Sequence, residues 1–106
     1  MIPRIKGIVK VELYKIACNW TTDELRIVDF TDWYNEAQNN KNSLLYKLFT
    51  PEVFVTVQYD KEQNNIVWPH LLPMKDYNGN TELVDLDFSP EVLYNISTVA
   101  NNTNLT

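Results

Sequence analysis

Apolar and polar positions change period several times along this chain. Ile5, Ile8, Val9, Val11 and Leu13 make a β-branched opening stretch. Tyr14, Ile16, Cys18 and Trp20 then alternate with Lys15, Ala17 and Asn19, the period of two expected of a strand with one buried face. The apolar parity switches between Leu13 and Tyr14, which predicts a bulge or a bend between two strands at that point. Thr21-Thr22-Asp23 reads as a turn. Glu24 to Phe30 reads as a third strand, with Leu25 and Ile27 on one face and Arg26 and Val28 on the other.

The pattern then becomes helical. Thr31 can cap a helix through its hydroxyl, with Asp32 favourably placed in the first turn and Trp33 and Ala37, with or without Tyr34, facing inward. Asn39 to Ser43 is polar and breaks the helix, after which Leu44, Leu45, Leu48 and Phe49 recur at helical spacing. Thr50-Pro51-Glu52 combines a cap, a fixed φ at the first position and an acid, and predicts a single turn through Val53-Phe54. Val55, Val57 and Tyr59 alternate with Thr56 and Gln58 as a strand. Asp60 to Asn65 is a polar turn, and Ile66-Val67-Trp68 returns as the second arm of a hairpin that Pro69 stops by removing an amide donor.

His70 to Thr81 contains Pro73 and Asn78-Gly79-Asn80 and reads as a loop with a tight turn. Leu83 to Asp87 is a short strand, and Ser89-Pro90-Glu91 opens a last helix near Val92 to Ile96. Meander, helices, hairpin, strand, helix, with no repeated βαβ unit, predicts an α+β fold. Its antiparallel β-sheet, a meander plus a hairpin of about five or six strands, would carry short helices on one face. Residues 1–100 form a single domain and 101–106 a polar tail. Trp68, at the end of its strand, is expected in the core.

Composition narrows the function. The chain has 106 residues and 44% hydrophobic positions, enough for one core without covalent staples. The net charge is −5, with nine basic residues scattered along the sequence, so nucleic-acid binding by this chain alone is not expected. Two glycines leave little room for a phosphate-cradling loop. Cys18 is the sole cysteine. The first residues lack the apolar stretch of a signal peptide and no apolar run is long enough to span a bilayer, so the expected location is the cytoplasm, away from membranes. Four Asn-x-Ser/Thr matches, beginning at Asn19, Asn95, Asn101 and Asn104, then read as chance in an Asn-rich chain.

Few residues could carry chemistry. His70 is the only histidine, and one His with no Cys or second His nearby makes a poor zinc site. Cys18 alternates like a residue on a half-buried strand, which reads as an inert thiol. Asp85 and Asp87 share a strand face but lack the looped oxygen ligands that calcium needs. No catalytic, metal or cofactor site is therefore expected. Trp33 and Tyr34 are adjacent on a helix and cannot point the same way, so one lies near the surface. Together with His70 they are the candidate partner contacts. The strand from Ile5 to Leu13 carries few charges, of mixed sign, and offers an edge for a homodimer.

The order and spacing of several segments resemble a bacterial family, the domain of unknown function 2442. They are Val9, Tyr14, the run Glu24 to Phe30, Leu48-Phe49-Thr50-Pro51-Glu52-Val53-Phe54, Ile66-Val67-Trp68-Pro69 and Asp85 to Tyr94. The resemblance covers roughly residues 3 to 95. Two departures stand out: Thr21-Thr22-Asp23 lacks the glycine expected in that turn, and residues 70–82 form an insertion. The resemblance implies a small α+β domain with no established activity, whose relatives occur beside toxin–antitoxin-like small proteins. The leading expectation is thus a non-enzymatic protein-interaction module, antitoxin-like or adaptor-like, with a small basic protein as partner. A DNA-associated regulatory subunit would need Lys6, Lys10, Lys15 and Arg26 gathered on one sheet face. A small enzyme would use His70 with Asp85 or Asp87.

Overall fold

The first three strands pair as the alternation requires. In the computed structural model, which describes residues 2–100, β1 (Ile5–Glu12), β2 (Lys15–Trp20) and β3 (Leu25–Asp29) form an antiparallel meander. The expected polar tail 101–106 lies outside the described residues. Ile16, Cys18, Trp20 and Val28 are fully buried on one face. The parity switch at Leu13 and Tyr14 is the turn between β1 and β2. Asp23 takes φ 65° in the next turn. Asp tolerates this left-handed backbone better than most residues, so the turn closes without glycine.

β1 carries two bulges. Ile5 pairs with Trp20, Ile8 with Cys18 and Val11 with Ile16, so three residues of β1 span two of β2 each time. Each bulge inserts one residue and resets the side-chain parity. This is why Ile5, Ile8 and Val11 all face inward at a spacing of three.

Three short helices follow: α1 (Thr31–Ala37), α2 (Leu44–Leu48) and α3 (Pro51–Phe54). The cap of α1 differs from expectation. Thr31 lies inside the helix, and the Asp29 carboxylate accepts hydrogen bonds from its backbone N–H at 2.9 Å and its hydroxyl at 2.6 Å. Ser43 caps α2 by accepting from the Tyr46 N–H at 3.1 Å. Thr50 precedes Pro51 as expected, but its hydroxyl donates to the Lys47 carbonyl at 3.0 Å and makes no cap bond.

A second antiparallel sheet comprises β4 (Gln58–Asp60), β5 (Asn65–Lys75) and β6 (Thr81–Asp87), in that order. α4 (Pro90–Asn95) is capped by Ser89, whose hydroxyl accepts from the Val92 N–H at 3.2 Å. The chain closes with β7 (Ser97–Val99) beside β3, making the first sheet four-stranded. The fold is thus α+β with antiparallel sheets and short helices. The seven strands of the described residues divide into two sheets, with α1 to α3 lying between the meander and the hairpin in the chain. The sheets touch where the Ile5 N–H donates to the Asn64 carbonyl at 3.0 Å.

Two expectations fail in β5. Pro69 does not end the strand, and residues 70–81 are not wholly loop. Trp68 pairs with Leu86 and Leu72 with Val84, so β5 has two extra residues across a bulge that holds Pro69 and His70. A bulge tolerates proline because its amide needs no ladder partner. Pro73 lies beyond the reach of β4, which pairs only with Asn65 to Val67. On that open side a missing N–H costs no hydrogen bond.

The core is an aromatic junction between the sheets. Phe30, Phe54 and Trp68 are fully buried. Phe30 meets Phe54 at 5.6 Å and Trp68 at 5.9 Å, both edge to face. The Trp68 indole N–H donates to the Phe54 carbonyl at 2.9 Å, which satisfies its one polar atom.

Trp68→Ala is expected to destabilise the fold by about 3–5 kcal/mol, and Trp68→Phe by less, since it keeps a ring in the junction. Urea denaturation followed by circular dichroism reads this directly. An unchanged midpoint for Trp68→Ala would show that the ring contributes little to the core.

Candidate interaction surfaces

The three expected contact residues do not form one patch. Trp33, on α1, is half-buried and packs edge to face on Phe30 at 5.4 Å and Phe88 at 5.0 Å. Tyr34 is also half-buried but turns the other way, stacking on Tyr14 at 4.5 Å with the rings 18° apart. Both neighbours therefore lean into the core, where one had been expected near the surface. His70 is exposed on the second sheet, at the β5 bulge, with φ 53°.

His70 does meet Asp85, though not through its ring. Its backbone N–H donates to the Asp85 carboxylate at 3.2 Å. The carboxylate thus holds the strained bulge in place. Among the described residues, no three His, Cys, Asp or Glu side chains are placed to hold a metal ion.

Beyond that bulge the second sheet narrows to a two-stranded ribbon. Residues 73–83 are all exposed. They include Met74, Leu83 and Tyr77. The tip is built by Asp76, whose carboxylate accepts from the N–H groups of Asn78 at 2.8 Å and Asn80 at 3.0 Å. Gly79 supplies φ 82°, which only glycine adopts at no steric cost. The tight turn at Asn78-Gly79-Asn80 and a strand from Leu83 to Asp87 were legible in the sequence, while the continuation of β5 to Lys75 and its pairing with the start of β6 were not. Their signal was Leu72 and Met74 facing Val84 and Glu82 across an Asn-Gly turn.

The outward face of the first sheet is charged and shallowly concave. A depression of about 220 Å³ is lined by Lys10, Glu12, Lys15 and Asp29 over Ala17 and Ile27. Its rim shares Asp29 and Thr98 with a neighbouring hollow of about 300 Å³ that reaches Trp33. Of the basic residues that a stripe would need, Lys10 pairs with Glu12 at 2.8 Å and Lys6 with Asp23 at 3.2 Å. Arg26 does not join them. It stands opposite Cys18 in the β2–β3 register, on the core side, so the four-residue basic stripe does not assemble.

Arg26 is instead the centre of a polar clamp. Its guanidinium donates to the Ser97 hydroxyl at 2.7 Å, the Ser97 carbonyl at 2.9 Å and Glu24 at 3.0 Å. It also lies 4.1 Å from the centre of the Tyr94 ring. The Tyr94 hydroxyl donates to Glu24 at 2.8 Å. These bonds tie α4 and β7 to β3. Hydrogen bonds from Thr22 and Tyr94, then the Arg26 charge, hold the Glu24 carboxyl below its ordinary range. The bond to Glu24 raises Tyr94. Cys18, fully buried, is pushed up to about 12 by desolvation.

No protein-family model, curated protein or solved structure matches this chain. Among the described residues no helix is long and apolar enough to cross a membrane.

Two outcomes follow from this geometry. Cys18 should resist a thiol reagent in the native protein at about pH 8 and react fully once denaturant is added, because only the thiolate attacks. Rapid native labelling would contradict its burial. Glu24→Gln should lower the melting temperature at neutral pH. A carboxyl whose folded value is lowered stabilises the fold above its ordinary value, here 4.5, and loses that effect as pH falls through the lowered value. The gap between variant and parent should therefore close below about pH 4.5. A gap that persists into acid would assign the loss to packing.

Proposed function

We propose that this chain is a non-enzymatic protein-interaction module, adaptor-like or antitoxin-like, that acts in the cytoplasm on a protein partner. One observation carries the reading: the ribbon beyond the β5 bulge exposes all of residues 73–83, with Met74, Tyr77 and Leu83 among them. An isolated two-stranded ribbon is marginal in water, and exposed apolar groups gathered on one projection mark a contact site more often than a solvated surface does. The resemblance to the domain of unknown function 2442 belongs to the same reading. It is supported by the order of the elements: a three-strand meander, helices through Phe54, a strand reaching Trp68-Pro69, and a Ser89-capped helix ending near Tyr94.

The partner is read as a different protein rather than a second copy. The edge strand that offered a homodimer, β1, carries two bulges, and bulges twist an edge away from further pairing. The test is a pull-down of the tagged full chain under native conditions, repeated with Met74→Ser/Leu83→Ser. A stoichiometric partner retained by the parent and lost by the variant, with the melting temperature unchanged, is the expected outcome. A parent that retains no stoichiometric protein would overturn the reading.

A further inference from the structure

The most regular open edge in the molecule is β6. It pairs with β5 on one side and, among the described residues, has no strand on the other. The two extra residues of the β5–β6 register lie in β5, so β6 itself is unbroken over its seven residues. A strand at an edge turns alternate N–H and C=O groups outward with no partner. The other edges are poorer templates: β1 is interrupted by its bulges, while β7 and β4 are three residues long.

The side chains of β6 state what an added strand must carry. Leu86 lies opposite Trp68 on the core side, and Val84, two residues away, shares that face. Leu83, Asp85 and Asp87 lie on the opposite face, and all three are exposed. Glu82 adds a further exposed acid near the ribbon tip. A second β6 laid antiparallel over its full length would pair Asp85 with Leu83 and Asp87 with Thr81, gathering the three acids of each strand along one seam with no cation of β6 to meet them, which like-charge repulsion disfavours. A strand with aliphatic residues on one face and Lys or Arg on the other meets Val84 and Leu86 with apolar groups and Asp85 and Asp87 with cations.

We infer that the β6 edge receives an extended, basic segment of a partner protein by strand addition, with lysine or arginine alternating with aliphatic residues. This rests on the interaction-module reading and specifies its mode. Backbone hydrogen bonds supply affinity in such complexes, and the alternate side chains supply selectivity.

The experiment uses the ¹⁵N-labelled full chain and two synthetic peptides about eight residues long, one alternating valine with lysine and one alternating valine with glutamate. With the lysine peptide, resonances of residues 81–87 should shift and their outward amides should exchange with solvent at least tenfold more slowly. The glutamate peptide should do neither. Asp87→Lys, which changes an exposed residue outside the core on the face that receives the cations, should weaken the lysine peptide at least tenfold. Raising salt from about 50 to about 500 mM should act in the same direction on the unaltered chain, since it screens charge.

Shifts without slowed β6 amides would mean charge adhesion alone and would overturn strand addition. So would shifts confined to the face around Lys15 and Asp29, or equal binding of both peptides, or none. Slowing of β6 amides with protein concentration alone would replace the basic segment with a second copy. A stoichiometric partner still held in the pull-down while these arms fail would leave the module reading standing and remove only this mode.

Discussion

Everything in this fold hangs on where Phe30 is placed. It is the first residue after β3 and the residue before α1, so the chain leaves the first sheet at the point where this ring is buried. Its backbone N–H donates to the Tyr14 carbonyl at 2.9 Å, which fixes the exit against the β1–β2 turn. Its ring meets Phe54 from α3, Trp68 from β5 and Trp33 from α1, all edge to face. Such pairs are each worth about 0.5–1.5 kcal/mol beyond the area they bury. A single side chain thus joins the meander, the helices and the second sheet. Two sheets that share no ladder can form one core because this junction lies between them.

The junction joins the two sheets, and the Arg26 clamp fastens α4 and β7 to β3. α4 and β7 are six and three residues long, too short to hold by helix propensity or by a ladder alone. Arg26 compensates by bonding both the hydroxyl and the carbonyl of Ser97 while Glu24 binds Tyr94. Placing a guanidinium on the core side of a sheet is costly unless its donors are used. Here the Glu24 carboxylate and the hydroxyl and carbonyl of Ser97 use all three of its nitrogens, and the Tyr94 ring covers its face. The β3 register that puts Arg26 opposite Cys18 also withdraws it from Lys10 and Lys15.

How much of this was legible in the sequence follows from how regular each segment is. β2 and β3 were plain because nothing interrupts their alternation. The cap at Ser89 followed from chemistry at fixed offsets, whereas Ser43 was read only as part of a polar break, and Asp29 took the role expected of Thr31 because its carboxylate reaches both the N–H and the hydroxyl. β1 was recognisable as a strand, yet its facing was not, since two bulges give Ile5, Ile8 and Val11 a spacing of three. The ribbon was hidden by Pro69 and Pro73, which argue against a central strand and are harmless at a bulge and on an open edge. β7 was missed because three residues directly after a helix carry no periodic signal. Trp33 and Tyr34 were singled out for contact on adjacency alone. Sequence gives no means of knowing that Phe88 and Tyr14 stand ready to receive them.

The ribbon is the one part of the molecule that the core does not explain. Ordering a residue's backbone costs about 1–2 kcal/mol, and residues 73–83 recover little of that by burial since all are exposed. Their compensation is the ladder with β6, the carboxylate of Asp76 in the turn, and the anchor at the base where Trp68 faces Leu86. A segment with few buried contacts opens at a lower free energy than the core to which it is attached. The bulge at His70, held by Asp85, lies at the boundary between the two regimes. Below it, side chains are placed by packing. Above it, the strands are held by backbone hydrogen bonds and the Asp76 turn, and an added strand would supply backbone bonds of the same kind along the edge that β6 leaves open.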